Sequence, residues 1–200
     1  MTSASHVPAP LLNARERFMG RHFDLDGTAQ PPSDSLPPPR VVVVGGSIGG
    51  CCAAIALAAA GCDVQVHERT PGELPSQGAG LVIQPDMAAF LHHYGVCAAE
   101  DVAVSSSGRQ YVDRDNAVVG GDDTPQLFSA WDVLHRALKA QVPAAWYHAG
   151  SAVERVDECE RGGVRVVLSD GQTLDAELLV GADGCAAPLA DAPSETYEKE

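Results

Sequence analysis

Hydrophobic positions along the chain change period several times, and each change predicts an element. Val41 to Val44 is apolar and β-branched at every position, which suits a central strand buried on both faces. A glycine-rich turn follows, Gly45 to Gly50. Cys51 to Ala60 is then a run of small, mostly apolar residues that predicts a helix closed by Gly61. Asp63 to Glu68 alternates polar and apolar, so a second strand is expected there. Strand, glycine turn, helix and strand in about 30 residues make a βαβ unit, whose crossover should be right-handed.

The middle of the chain is patterned more weakly. Ala79 to Gln84 reads as a strand and Pro85 to Tyr94 as a helix with proline in its first turn. Gln110 to Val112 and Ala117 to Val119 form a predicted hairpin around Arg114, Asp115 and Asn116. Trp131 to Gln141 carries apolar residues at Trp131, Leu134 and Leu138, continuing to Val142, the spacing of an amphipathic helix. Short strands are expected at Trp146 to His148, Ala152 to Asp157, Val164 to Leu168 and Thr173 to Leu174. The last two flank the hairpin signal Ser169-Asp170-Gly171-Gln172. Leu178 to Val180 is read as a final short buried strand, running into Gly181-Ala182-Asp183-Gly184. Residues 1–39 hold half of the 14 prolines and are expected to be a disordered, Pro-rich leader. Residues 185–200 are polar and patternless, an irregular tail. The fold class expected for residues 40–184 is α/β, a Rossmann-type domain.

Composition narrows the function. Hydrophobic residues make up 45% and charged ones 20%, a globular balance. The net charge of −14, from 13 basic and 27 acidic residues, argues against binding to nucleic acid or to an anionic membrane surface. No apolar run approaches the ~18–20 residues of a membrane span, and no secretory or transit pattern opens the chain, so a cytoplasmic protein is expected. The 6 cysteines show no zinc-site spacing and read as reduced thiols. His92 and His93 point about 100° apart on a helix, which favours a plain surface over a metal site. No Gly-x-Ser-x-Gly elbow supports a serine hydrolase.

The chemistry is concentrated in Gly45-Gly46-Ser47-Ile48-Gly49-Gly50. A dinucleotide-binding turn wants glycine at its first, third and sixth places: for the tight turn, for approach of the pyrophosphate, and for close helix–strand packing. Gly45 and Gly50 fill the outer places, and Ser47 stands in the middle one. Backbone N–H groups at the start of the following helix suit an anion, so all six residues are candidate phosphate-binding positions. Glu68 ends the second strand, 18 residues past Gly50. An acid there accepts hydrogen bonds from both hydroxyls of an adenosine ribose and repels a 2′-phosphate. Together they specify ADP-ribose, the part shared by NAD and FAD.

The stretch VVVVGGSIGGCCAAIALAAAGCDVQVHERTP resembles the N-terminal signature of the flavoprotein aromatic hydroxylases, the single-component FAD monooxygenases. GAGLVIQPDMAAFLHHYGV is similar to their next block, SAWDVLHRAL to the helix after it, and SDGQTLDAELLVGADG to their hairpin, strand and Asp-Gly motif. The GGSI variant, the GLVIQP block and Ser105-Ser106-Ser107 ahead of Tyr111-Val112-Asp113 most resemble the 2,6-dihydroxypyridine 3-monooxygenase branch. The resemblance covers residues 40–184 and implies there a Rossmann-type FAD/NAD(P)-binding domain with a partial β-rich insertion on the substrate side, truncated at the C-terminus. It implies FAD as cofactor, NAD(P)H as reductant, O2 as co-substrate and a small aromatic or N-heteroaromatic substrate. It also implies pyrophosphate contacts at Gly45, Ser47 and Gly50, a ribose contact at Glu68, Arg69 near the AMP end, and Asp183 at a dual FAD and NAD(P)H contact. Arg109 corresponds either to a flavin-side contact or to an exposed loop arginine.

The chain also departs from that pattern. After Asp-Gly the family continues x-x-Ser-x-Val-Arg, whereas here Cys185-Ala186-Ala187-Pro188 follows. The second flavin motif, a later Gly-Asp, does not occur, so the expectation is a chain that builds only the nucleotide half of the pocket. Two further readings therefore stand beside the monooxygenase: a non-catalytic FAD/NAD-binding module, and an incomplete product.

Overall fold

The computed structural model describes residues 37–74, 78, 80–159 and 162–184. The predicted leader up to residue 36 and the tail from residue 185 lie outside the described residues, as does Ala79. The chain divides into two compact units, one built from the segments ending at Glu73 and resuming at Val142, the other from Leu74–Gln141.

The first unit contains the βαβ start. Strand β1 (Arg40–Val44) is followed by helix α1 (Ile48–Ala59) and strand β2 (Asp63–Glu68). Strands β8 (Tyr147–Ala149) and β12 (Leu178–Gly181) complete a four-stranded parallel sheet in the order β12-β1-β2-β8. With a neighbour on each side, β1 is central, and Val41 to Val44 are at most 5% exposed. The alternation of a strand sends Val43 toward α1, where its Cγ1 lies against Gly50. Val42 and Val44 point the other way. They pack with Val153, Val166, Leu168 and Ala176 from an antiparallel sheet of β9 (Val153–Glu158), β10 (Val164–Leu168) and β11 (Thr173–Ala176). The β10–β11 turn forms where expected, with Gly171 at φ +83°.

The second unit carries β3 (Gly80–Val82), α2 (Pro85–His93), β4 (Val104–Ser106), β5 (Arg109–Val112), β6 (Val118–Asp122), β7 (Gln126–Ala130) and α3 (Trp131–Lys139). Its antiparallel sheet runs β3-β7-β4, and β5 pairs with β6. Trp131, Leu134 and Leu138 are buried, as the spacing of α3 predicts. The β5–β6 hairpin turns at Asn116, whose φ of +61° suits a short polar side chain.

Three expectations are corrected. Helix α1 begins at Ile48, three residues early, because the first turn needs no intrahelical N–H partners and so tolerates Gly49 and Gly50. Trp146 belongs to a 3-10 turn (Ala144–Trp146) and the strand starts at Tyr147. The last strand is not buried. Among the described residues β12 sits at the sheet edge, and Leu178 is 44% exposed. The five described cysteines, Cys51, Cys52, Cys62, Cys97 and Cys159, are free thiols. No helix among the described residues is long and apolar enough to cross a membrane.

Removing the buried methyls of Val43 (0% exposed) should cost about 1.5–3 kcal/mol, whereas Val119 on β6 is 66% exposed. Val43→Ala should therefore shift a urea unfolding midpoint clearly, and Val119→Ala should leave it nearly in place.

Candidate functional site

Three parallel strands deliver their C-terminal ends to one place. Val44 of β1 lies in register with His67 of β2 and with Gly181 of β12. The Gly45–Gly50 segment, Glu68 and Asp183 therefore stand together at the carboxyl edge of the sheet, where open α/β sheets take their ligands. Gly45 makes the junction. It adopts φ +102°, its N–H donates to the His67 carbonyl at 2.8 Å, and the next strand's exit is tied in by Ala182 N–H to the Val44 carbonyl at 2.7 Å. A side chain on Gly45 would run into the Ala182 carbonyl and stand 2.8 Å from the Asp183 nitrogen.

The other loop residues differ in why they are small. A Cβ on Gly50 would strike the Gly45 carbonyl, so glycine there lets α1 close onto the turn. A Cβ on Gly46 would strike the Tyr147 hydroxyl. Gly49 faces open space. Ser47 is the N-cap of α1 with an extended backbone, and its hydroxyl makes no capping bond. Ile48 opens the helix, and the first turn of α1 contains no acidic residue that would compete for an anion.

Glu68 is 6% exposed and supports the loop from beneath. Its Oε2 accepts the Gly46 N–H at 2.8 Å and its Oε1 accepts the Thr70 N–H at 2.8 Å. Burial pushes its carboxyl pKa up. The bonds from the backbones of Gly46 and Thr70 and from the Thr70 hydroxyl outweigh that, and the Arg69 charge adds to them. The net result lies below the ordinary glutamate value. Glu68 is therefore an anion at neutral pH. These three hydrogen bonds leave the carboxylate with about one further acceptor direction. Arg69 is exposed. Asp183 is half-buried, and its Oδ2 is buried without a hydrogen-bond partner, a vacant acceptor beside the glycine turn.

Two sequence candidates lie in the other unit. Arg109 opens β5 and its Nε pairs with Asp122 Oδ2 at 3.1 Å across the hairpin, so it is a strand residue with an ion-pair partner. His92 and His93 are exposed in the last turn of α2. Among the described residues no group of three or more His, Cys, Asp or Glu could hold a metal.

The sequence reading missed the other side of β2. His67 stacks on His148 with ring centroids 4.7 Å apart, and its Nδ1 lies 2.8 Å from the Ser151 hydroxyl. Burial first, and then the neighbouring His148, lowers the His67 pKa from 6.5 to about 4, with Asp170 opposing. It missed Tyr147 as well. Its phenol donates to the Gly46 carbonyl at 3.2 Å. A tyrosine in a three-residue strand carries no pattern that would have flagged it.

The chain is 34% identical over 134 residues to 2,6-dihydroxypyridine 3-monooxygenase of Paenarthrobacter nicotinovorans, covering 66% of this chain and 33% of that protein. It is 31% identical over 138 residues to 3-amino-4-hydroxybenzoate 2-monooxygenase of Streptomyces cremeus, covering 62% and 34%. The solved 2,6-dihydroxypyridine-3-hydroxylase from Arthrobacter nicotinovorans matches with a TM-score of 0.70 and 33% identity, over 76% of this chain and 39% of that one. No family model matches. The chain spans about a third of the length of the curated relatives it matches.

Two outcomes follow for the folded chain. Gly50→Ala should destabilise by about 1–3 kcal/mol because its methyl meets backbone. Gly49→Ala, in open space on the same helix turn, should be neutral or stabilising by up to about 1 kcal/mol. Thermal melts should show a lowered midpoint for Gly50→Ala and an unchanged or raised one for Gly49→Ala.

The buried histidine sets a pH window. Between pH 6.5 and about 4 the unfolded chain protonates this ring while the folded chain keeps it neutral. Stability should therefore fall as pH drops through that range, by at most about 1.4 kcal/mol per pH unit. His67→Phe should flatten that part of the curve in urea titrations across pH, and an unchanged slope would refute the assignment.

Proposed function

We propose, for a chain that belongs to the FAD-dependent aromatic hydroxylase family of monooxygenases, that residues 40–184 bind the ADP half of FAD. The observation that carries this is the convergence at the carboxyl edge of β1, β2 and β12. There a left-handed glycine turn, a helix N-terminus, an ionised buried carboxylate and an unpartnered acid oxygen meet within one loop cluster.

The residues present fit that group. The start of α1 offers the backbone N–H groups of Ser47, Ile48, Gly49 and Gly50 to the pyrophosphate, while Gly45 and Gly46, whose N–H groups are taken by His67 and Glu68, shape the turn that brings it close. The Ser47 hydroxyl, unused as a helix cap, is available to a phosphate oxygen. Glu68 accepts from an adenosine ribose hydroxyl with its remaining acceptor capacity, and its charge disfavours a nucleotide carrying a 2′-phosphate in this cleft. Arg69 stands beside it toward the AMP end. Asp183 turns its vacant oxygen to a hydroxyl donor of the dinucleotide.

The whole protein's reaction is proposed as hydroxylation of a small aromatic or N-heteroaromatic substrate by O2, with NAD(P)H as reductant. When bound, FAD supplies the redox and oxygen chemistry. The chain's own residues bind and orient its nucleotide end. The free thiols suit a reducing compartment, and the reading places the protein in the cytoplasm.

Flavin fluorescence quenching tests the reading directly. The chain should bind FAD, and Glu68→Gln should weaken binding by about 1.5–3 kcal/mol, since it exchanges a charged acceptor for an amide. FAD affinity that is unchanged in Glu68→Gln would remove Glu68 from the site. No quenching by the wild-type chain would remove the site itself.

A further inference from the structure

We propose that Tyr147 is a positioning residue for the dinucleotide loop, holding the Gly46 carbonyl so that the next N–H, that of Ser47, faces the pyrophosphate. The proposal rests on the reading that the ADP half of FAD binds at Gly45–Gly50.

Gly46 is held from both ends. Its N–H donates to Glu68 Oε2 at 2.8 Å, and its carbonyl accepts from the Tyr147 hydroxyl at 3.2 Å and from the Cys51 thiol at 3.4 Å. A trans peptide is planar, and its C=O and N–H point in opposite directions. Fixing the Gly46 carbonyl therefore fixes the Ser47 N–H, turned away from Tyr147. Ser47 is the residue that replaces the usual middle glycine, and its N–H precedes the open first turn of α1. An anion at that helix start meets a donor whose direction was set before binding.

Tyr147 is placed for this by strand register. On β8 it lies opposite Val66 of β2, two residues before Glu68, so its side chain shares a sheet face with Glu68. The two loop anchors thus come from neighbouring strands and reach the two ends of one residue. Contact between the phenol and Gly46 is close enough that any Cβ at position 46 would overlap the hydroxyl. That accounts for glycine at 46, where the backbone is not left-handed. Burial raises the phenol pKa above its ordinary value, so the hydroxyl remains a donor at any physiological pH.

The function differs from general support of the fold, and the two separate by ligand. Tyr147→Phe keeps the ring and loses one hydrogen bond. It should weaken FAD by about 2- to 12-fold, the effect of a typical bond. Its affinity for adenosine, which lacks the pyrophosphate, should stay within about 2-fold of wild type when read by NMR titration. The Ser47 amide resonance of the ligand-free chain should also shift. Equal loss for FAD and adenosine, or no loss for FAD, would overturn the proposal. Gly46→Ala supplies a second arm. It should weaken FAD strongly in the wild-type background and much less beside Tyr147→Ala, where the methyl has room, and additive losses would overturn the proposal too. If the wild-type chain fails to quench FAD fluorescence, the nucleotide reading falls and this inference with it. If wild type binds FAD and Tyr147→Phe binds it equally well, only the inference falls.

Discussion

The passage of Gly45 against the backbone of Ala182 is the contact on which the rest of the site depends. Two parallel strands, β1 and β12, leave the sheet side by side, and their exits nearly touch. Only a residue without Cβ, in a left-handed conformation, lets β1 turn there. Once it does, the turn is held on both sides, by Gly45 N–H to His67 and by Ala182 N–H to Val44. Gly50 can then press on the Gly45 carbonyl, and α1 starts close to the strand it left. A side chain at Gly45 would force the strand exits apart and move the helix start with them.

This core was legible in the sequence for a simple reason. A strand buried on both faces must be apolar at every position, and Val41 to Val44 is. The turn glycines are few, close together and immovable, and Glu68 sits at a fixed distance along the chain. Other parts were not legible. The helix was read from its hydrophobic run, and Gly49 and Gly50 hid its first turn because glycine signals a break in most contexts. Leu178 to Val180 is apolar enough to be central, yet pairing order decides exposure, and order is not encoded in a three-residue run. Tyr147 and His148 stand on a strand too short for any period. Their roles come from register with β2, a long-range fact.

The two faces of β2 divide the work. Alternation sends Glu68 and Val66 toward the loop and helix, and His67 toward the antiparallel sheet. On the loop face a charge is buried, and each of its oxygens has a backbone donor, which is the condition for keeping an anion inside. On the opposite face burial, helped by His148, outweighs the Asp170 charge and keeps His67 neutral. Adjacent residues therefore hold opposite answers to the same problem: Glu68 is charged because donors surround it, and His67 is uncharged because burial disfavours its cation.

A chain of net charge −14 is an unpromising receptor for a pyrophosphate. The solution in the proposed site is local. Charges beyond about 8 Å are largely screened at physiological ionic strength, so the net charge of the chain says little about the field at the loop itself. Glu68, close by, is already committed to Gly46 and Thr70, and its free lone pairs suit hydroxyl donors and reject phosphate oxygens. The N–H groups that remain, from Ser47 into the first turn of α1, have the opposite preference. In the proposed site acceptors would therefore face the ribose and donors the phosphates, and the discrimination would come from peptide orientation rather than from cationic side chains. On that proposal, what holds Gly46, with Glu68 on its N–H and Tyr147 on its carbonyl, sets the direction of the Ser47 N–H and with it the specificity of the loop.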